Sequence, residues 1–294
     1  MQPKDVLIAL LVIILWSLNF VASKIALEHF PVFFLVFLRM LSTSVVLVPF
    51  LRSFKKLRIS WVLLMGISFT WATLHISALF LALHMGLDVS AAIMIDQLRV
   101  PFVVILGLFI FKDTIGFKTF SGILLSLIGT AFIAGTPSLH GNYIPFILMV
   151  ASSFAWALYN IQLKFTHNLK VLYFLAWVTL FGLIQATPLT FLVEEHHWDI
   201  LLSAKPIHYT AVFYSGVINT VIGNGLWYKL LKKYSVNQVV PYSLLVPFFG
   251  TLAAVIVLGE VLTWQIVAGG VLTVAGVTII MMRRPRLLVS GKEE

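Results

Sequence analysis

Charged residues punctuate this 294-residue chain at intervals, and the apolar runs between them approach the ~20 residues that a helix needs to cross a bilayer. Nine such stretches can be marked off directly or nearly so: Val6 to Ser23, Pro31 to Leu51, Trp61 to Leu83, Val89 to Phe111, Thr119 to Leu163, Val171 to Val193, Pro206 to Tyr228, Asn237 to Leu258 and Trp264 to Met282. The fifth is too long for one crossing. Turn chemistry in Thr136-Pro-Ser-Leu-His-Gly-Asn-Tyr-Ile-Pro145 divides it, so ten helices are expected. The runs are continuous rather than alternating, which argues against a β-barrel, the other structure that satisfies its backbone within lipid. The fold class expected is all-α integral membrane. The first run is read as a retained helix rather than a cleaved leader, because Lys24 stands where a small-residue cleavage site is wanted.

Composition supports the same solvent. Hydrophobic residues make up 60% of the chain and charged residues 11%, far from the roughly 25% charged residues of a water-soluble domain. The net charge of +9 is then an orientation signal. With the amino terminus in the cytoplasm, sixteen lysines and arginines fall on inner segments and two, Lys24 and Lys205, on outer ones. Both termini are expected inside, and nucleic acid is not an expected partner. There is no cysteine, so disulfides, thiolate metal sites and cysteine nucleophiles are excluded.

The two halves of the chain echo each other. Leu98-Arg-Val-Pro-Phe-Val-Val-Ile-Leu-Gly107 aligns with Leu244-Leu-Val-Pro-Phe-Phe-Gly-Thr-Leu-Ala253. Beyond it, Asp113 meets Glu260, Phe117 meets Trp264, Gly122 meets Gly269 and Gly129 meets Gly276 at one constant offset. Two repeats are expected, residues 1–137 and 138–294, the second ending in a short basic cytoplasmic tail. Five helices per half is an odd number, so the second repeat enters the membrane in the opposite sense, a construction typical of secondary transporters.

Trp16-Ser-Leu-Asn-Phe20, the intramembrane Leu38-Arg39, and the block from Val240-Pro-Tyr-Ser-Leu-Leu-Val-Pro-Phe-Phe-Gly250 through Gly259-Glu-Val-Leu-Thr-Trp-Gln265 to Gly269 and Gly276 resemble the EamA-type branch of the drug/metabolite transporter superfamily. The resemblance covers essentially the whole chain. It implies ten helices in two inverted five-helix repeats, a bacterial inner membrane, and export of small metabolites such as amino acids. Lys112-Asp113 departs from the Gly-Glu that the family usually carries in the first repeat.

Ionised side chains near the bilayer centre cost roughly 2.5 to 3.5 kcal/mol on insertion scales, so Arg39, Asp96 and Arg99 need partners or water. Asp96 and Arg99 are three residues apart on one helix and can neutralise each other. Two readings stand: a structural ion pair, or a site in which Arg99 meets a substrate carboxylate while Asp96 holds an amino group or a coupling proton. Arg39 either pairs or snorkels toward an interface. Neutral polar and aromatic side chains fall on helical stripes: Trp16, Asn19 and Ser23; Ser68, Trp71 and His75; Trp156 and Asn160; Gly216, Thr220, Asn224 and Trp227; and Tyr242 alone. The asparagines are either helix-to-helix glue or substrate contacts, and His75 either a core histidine or a coupling group. Pro101 and Pro247, at matching repeat positions, are expected to bend their helices, for gating or for shape. Small-residue stripes at Gly122, Ser126 and Thr130 and at Gly269, Thr273 and Val277 are expected to pack. Asp113 and Glu260 are expected to cap the helices that follow them.

No metalloprotease, hydrolase or nucleotide-binding motif is present, and the pair His196-His197 lacks a clear third ligand. No enzyme activity, cofactor or metal is expected. The expected function is secondary transport of small metabolites, amino acids or related zwitterions by resemblance, with a passive channel or an importer as alternatives. The expected partners are a small-molecule substrate and the lipid bilayer, as a monomer or a homodimer.

Overall fold

The computed structural model describes residues 1–51, 59–112, 116–136, 139, 142–166, 170–234 and 236–282. Among these the secondary structure is entirely helical. We number the long helices α1 (Pro3–Leu27), α2 (Val32–Leu51), α3 (Trp61–His84), α4 (Val89–Phe111), α5 (Phe117–Ile133), α6 (Ile144–Leu163), α7 (Val171–Val193), α8 (residues 206–233), α9 (Val240–Leu258) and α10 (Trp264–Met281). Eight helices among the described residues are long and apolar enough to cross a membrane: all of these except α5 and α8. α5 has 17 residues. α8 is helical throughout but interrupted by polar residues.

The distribution of side chains is that of a protein dissolved in lipid. Large apolar residues such as Phe109, Ile256 and Val271 lie on the outside, while Asn19, Arg39, Asp96, Gln97 and Asn219 are buried. The chain is a multi-pass helical membrane protein.

Four departures from regular α-helix occur among the long helices. α3 widens into a π-helical segment over Phe69–His75, and α8 does the same over Tyr214–Gly223. α4 is interrupted at Gln97 and Leu98. The interruption has a local cause, since Pro101 has no N–H to offer the carbonyl of Gln97, which instead accepts from Val100 N at 3.1 Å. α9 opens as a 3-10 helix over Val240–Leu245, immediately before Pro247. Tightened turns thus stand beside both prolines, and both prolines are buried.

The π segment of α3 corrects one expected stripe. A π turn closes its hydrogen bond over five residues rather than four, so side chains seven apart, nearly aligned on an α-helix, face different ways. Ser68 accordingly turns to α7, donating to the carbonyl of Val178 at 2.8 Å, while His75 turns to α6. In α8 the hydroxyl of Thr220 reaches back five residues to the carbonyl of Ser215, at 3.3 Å.

Helices α5 and α10 pack through their glycines. A Cβ on Gly129 would stand 2.6 Å from the carbonyl oxygen of Gly269, and one on Gly276 would stand 2.5 Å from that of Gly122. Only glycine permits this approach of backbones. The hydroxyls of Thr130 and Thr273 lie 3.4 Å apart across the same seam. The expectation for small-residue stripes is met.

Glu260 caps a helix, but not the one that follows it. Its carboxylate accepts from the amides of Val89 and Ser90 at the start of α4, while Thr263 caps α10 through Ile266 N at 3.4 Å. Glu194, just beyond α7, does the same for α2, accepting from Phe33 N at 2.8 Å and Phe34 N at 2.7 Å. The expected cap Asp113 lies outside the described residues.

Candidate transport site

α1, α2, α3, α4 and α6 bring polar side chains to one depth in the bundle. At 1.5 Å per residue, Asn19, Arg39, His75, Ser77, Asp96 and Ser152 each lie about 10 to 14 Å from the end at which α2, α4 and α6 begin. Regular helix lengths fix this register. The connections at residues 28–31 and 85–88 are short, and the hydrogen bonds between Ser152 and His75 set α6 level with α3.

Within this layer Asp96 and Arg99 pair as their spacing allows, Nη1 to Oδ2 at 2.7 Å. The pair straddles the break in α4, so backbone and side chains are irregular at the same place. Asp96 is 2% exposed and its Oδ1 has no partner among the described residues. The Arg99 guanidinium lies over the ring of Trp156, 4.9 Å from its centroid, held on one side by charge and on the other by the aromatic face. His75 sits in the π segment of α3. Its Nδ1 lies 2.8 Å from the hydroxyl of Ser152 and 3.0 Å from the carbonyl of the same residue, and that hydroxyl also meets the His75 carbonyl at 2.9 Å. Ser152 did not stand out in the sequence, since a lone serine in an apolar helix carries no signal of its own.

Arg39 does not snorkel to an interface. It is 4% exposed, its guanidinium carbon lies 5.9 Å from the centroid of the Phe80 ring, and among the described residues it has no acidic partner. Gly216 lets the π segment of α8 approach the backbone of α2 at the Arg39 carbonyl.

The aromatic candidates form a second layer beside the first. Trp16 and Trp227 meet with ring centroids 4.8 Å apart and an interplanar angle of 55°, and Tyr242 packs partly buried in the same cluster. Trp71 faces Tyr159 at 6.1 Å, and Tyr159 faces Trp156 at 6.5 Å. The hydroxyls of Tyr159 and Tyr228 adjoin. Asn19 belongs to the polar layer, 8% exposed with an unpartnered Oδ1. Asn224 is half-buried in α8 beside Trp227. Asn160 turns inward on its own helix, Nδ2 donating to the carbonyl of Trp156 at 2.8 Å.

The histidines of the acidic loop stand apart. His196 is exposed in a left-handed conformation (φ 58°), 3.9 Å from Glu195 and 3.8 Å from Asp199, and His197 packs on Phe34 and Phe191. Among the described residues no group of three or more histidines and acids is placed to hold a metal.

A helical bundle with a buried ion pair at a broken helix, flanked by widened helices and enclosed by aromatics, belongs to the class of membrane transporters. Comparison with known proteins places it within that class. The sequence pattern described as the EamA-like transporter family matches residues 4–135 and 144–282, and the chain belongs to that family. It is a transporter and not an enzyme. It is 32% identical over 288 residues to a "Probable amino-acid metabolite efflux pump" of Salmonella typhimurium, covering 95% of both chains. It is 30% identical over 288 residues to a protein of the same description from Escherichia coli, again with 95% of each covered. An "Uncharacterized transporter" of Archaeoglobus fulgidus is 28% identical over 94% of this chain and 97% of its own. A solved crystal structure superposes with a TM-score of 0.61 over 95% of this chain and 96% of the other, at 19% identity, and so shares the fold.

Proposed function

We propose that this protein exports amino acids or closely related zwitterions across a bacterial inner membrane by alternating access. The observation that carries the reading is the Asp96–Arg99 pair, buried at the break in α4 with one carboxylate oxygen left without a partner. An ion pair kept for structure alone satisfies its lone pairs, whereas one that meets a polar ligand keeps some in reserve. The descriptions of the Salmonella and Escherichia relatives support the substrate class and the direction.

In this reading the chain crosses the membrane ten times as two inverted five-helix repeats, residues 1–137 and 138–294, with both termini cytoplasmic. The repeats rock about the polar layer and present it to each side in turn. Arg99 faces the anionic group of the substrate, and Asp96 its cationic group or a coupling proton, with His75 as the second coupling candidate. Asn19, Asn160, Asn224 and Tyr242 orient the ligand, while Trp16, Trp71 and Trp227 form an apolar wall. Pro101 and Pro247 keep the helices that move from being continuous rods. The protein works without a cofactor, as a monomer or a homodimer.

Reconstitution of the purified protein into liposomes tests the reading. Saturable counterflow of labelled amino acids, stimulated by a pH gradient, is the expected result. Unitary currents in a planar bilayer without counterflow would replace the carrier with a pore.

A further inference from the structure

Four buried polar atoms in the polar layer have no partner among the described residues: Asn19 Oδ1 on α1, Arg39 Nε on α2, Ser77 Oγ on α3 and Asp96 Oδ1 on α4. Each is at least nine-tenths buried by residue and each comes from a different helix; α1 packs on α2, α3 and α4, and α3 on α2 and α4. A buried polar atom without a partner forfeits its hydrogen bond to water and gains nothing in return. Four at one depth mark a place that something polar fills.

Charge says what that is. Arg99 is matched by Asp96, but Arg39 is matched by no acid among the described residues, and its only ring contact, Phe80, is 5.9 Å away. The layer therefore holds two guanidinium groups against one carboxylate, an excess of one positive charge in a medium of low dielectric. Such a charge needs a counter-ion, backbone carbonyls or water, and a ligand carboxylate supplies the first. A guanidinium is a planar fork that fits a carboxylate with two parallel hydrogen bonds.

We propose that Arg39 is the carboxylate-recognising residue of the transport site, so that the substrates are carboxylic acids and the matching carboxamides are excluded. The substrate carboxylate sits on Arg39 rather than on Arg99, and the free oxygen of Asp96 accepts from the ammonium group; Arg99, paired with the other oxygen, then holds the Asp96 carboxylate in position. This assignment rests on the exporter reading and names the group by which that exporter chooses its cargo.

The test uses the full chain in detergent and in liposomes, titrated with the twenty common amino acids and the α-carboxamide of each, with tryptophan fluorescence reporting binding. The wild-type protein should prefer an acid over its amide by roughly tenfold or more, the difference expected for a charge-assisted bidentate contact. Arg39→Gln should bring the two affinities within about threefold of each other by loss of acid binding alone. If R39Q does not yield folded protein, Arg39→Lys carries the test, with acid affinity expected to fall several-fold and amide affinity to stay. Undiminished acid preference in R39Q, or undiminished acid affinity in R39K, overturns the assignment and leaves the exporter reading standing. A wild-type protein that neither binds nor moves any amino acid overturns the exporter reading itself, and the role of Arg39 with it.

Discussion

Glu260 binds Ser90 twice: one carboxylate oxygen accepts from the backbone amide of Ser90 at 2.9 Å and from its hydroxyl at 2.6 Å. The other oxygen takes the amide of Val89, so a residue beyond the end of α9 closes the start of α4. Glu194 and the amides of Phe33 and Phe34 repeat the device between α7 and α2. Helix starts in a membrane protein leave N–H groups that lipid cannot satisfy, and a carboxylate there answers both the hydrogen bonds and the dipole.

Glu260→Ala should therefore lower stability by about 1 to 2 kcal/mol, and Glu194→Ala by a similar amount. Thermal unfolding in detergent measures both. An effect of E260A confined to α10, seen as unchanged hydrogen exchange at the start of α4, would contradict the cap.

Lys112 and Gly259 hold the same place in the two halves of the sequence, at the ends of α4 and α9, and both adopt left-handed backbone, φ 54° and 70°. A side chain in that conformation crowds the following carbonyl, at a cost of about 1 to 2 kcal/mol that glycine does not bear. Lys112→Gly should raise stability by about 1 kcal/mol, read as a higher midpoint in the same unfolding assay. A lower midpoint would place the backbone of Lys112 elsewhere.

The seam of α5 and α10 leaves no room for a methyl group. Gly276→Ala forces a Cβ against the carbonyl of Gly122 and the amide of Ser126, backbone atoms that can yield only by separating the helices. Overpacking of this kind costs about 1 to 3 kcal/mol or more. Size-exclusion chromatography should show less monodisperse protein for G276A, whereas Gly116→Ala, where a Cβ meets nothing within 4 Å, should behave as wild type.

Arg99→Ala should abolish transport while folded protein remains in the membrane, because it removes a ligand-facing charge and leaves the helix packing intact. Asp96→Asn should flatten the pH dependence of flux if Asp96 carries the coupling proton. Normal flux in R99A would remove Arg99 from the transport site. An unchanged pH profile in D96N would leave Asp96 a positioning role only.

Much of this was legible along the chain. Apolar runs gave the eight membrane-length helices to within about a turn, glycine spacing gave the seam between α5 and α10, and residues three apart gave the Asp96–Arg99 pair. These features are local or periodic, and helix geometry translates sequence spacing into contact without knowledge of the fold. The stripe on α3 departs from expectation where the helix widens, because a π turn has no signature in composition. The target of Glu260 was misread because its partner lies 171 residues away on another helix.

The sequence by itself determined the solvent, the class of secondary structure and the residues that are expensive in lipid, since hydropathy and charge act wherever the chain goes. Only the tertiary structure decided which of those expensive residues have partners: among the described residues Arg99 has an acidic one and Arg39 does not. Partnership between helices depends on their rotation and depth. Those are fixed by packing summed over the whole bundle, and no single segment encodes them.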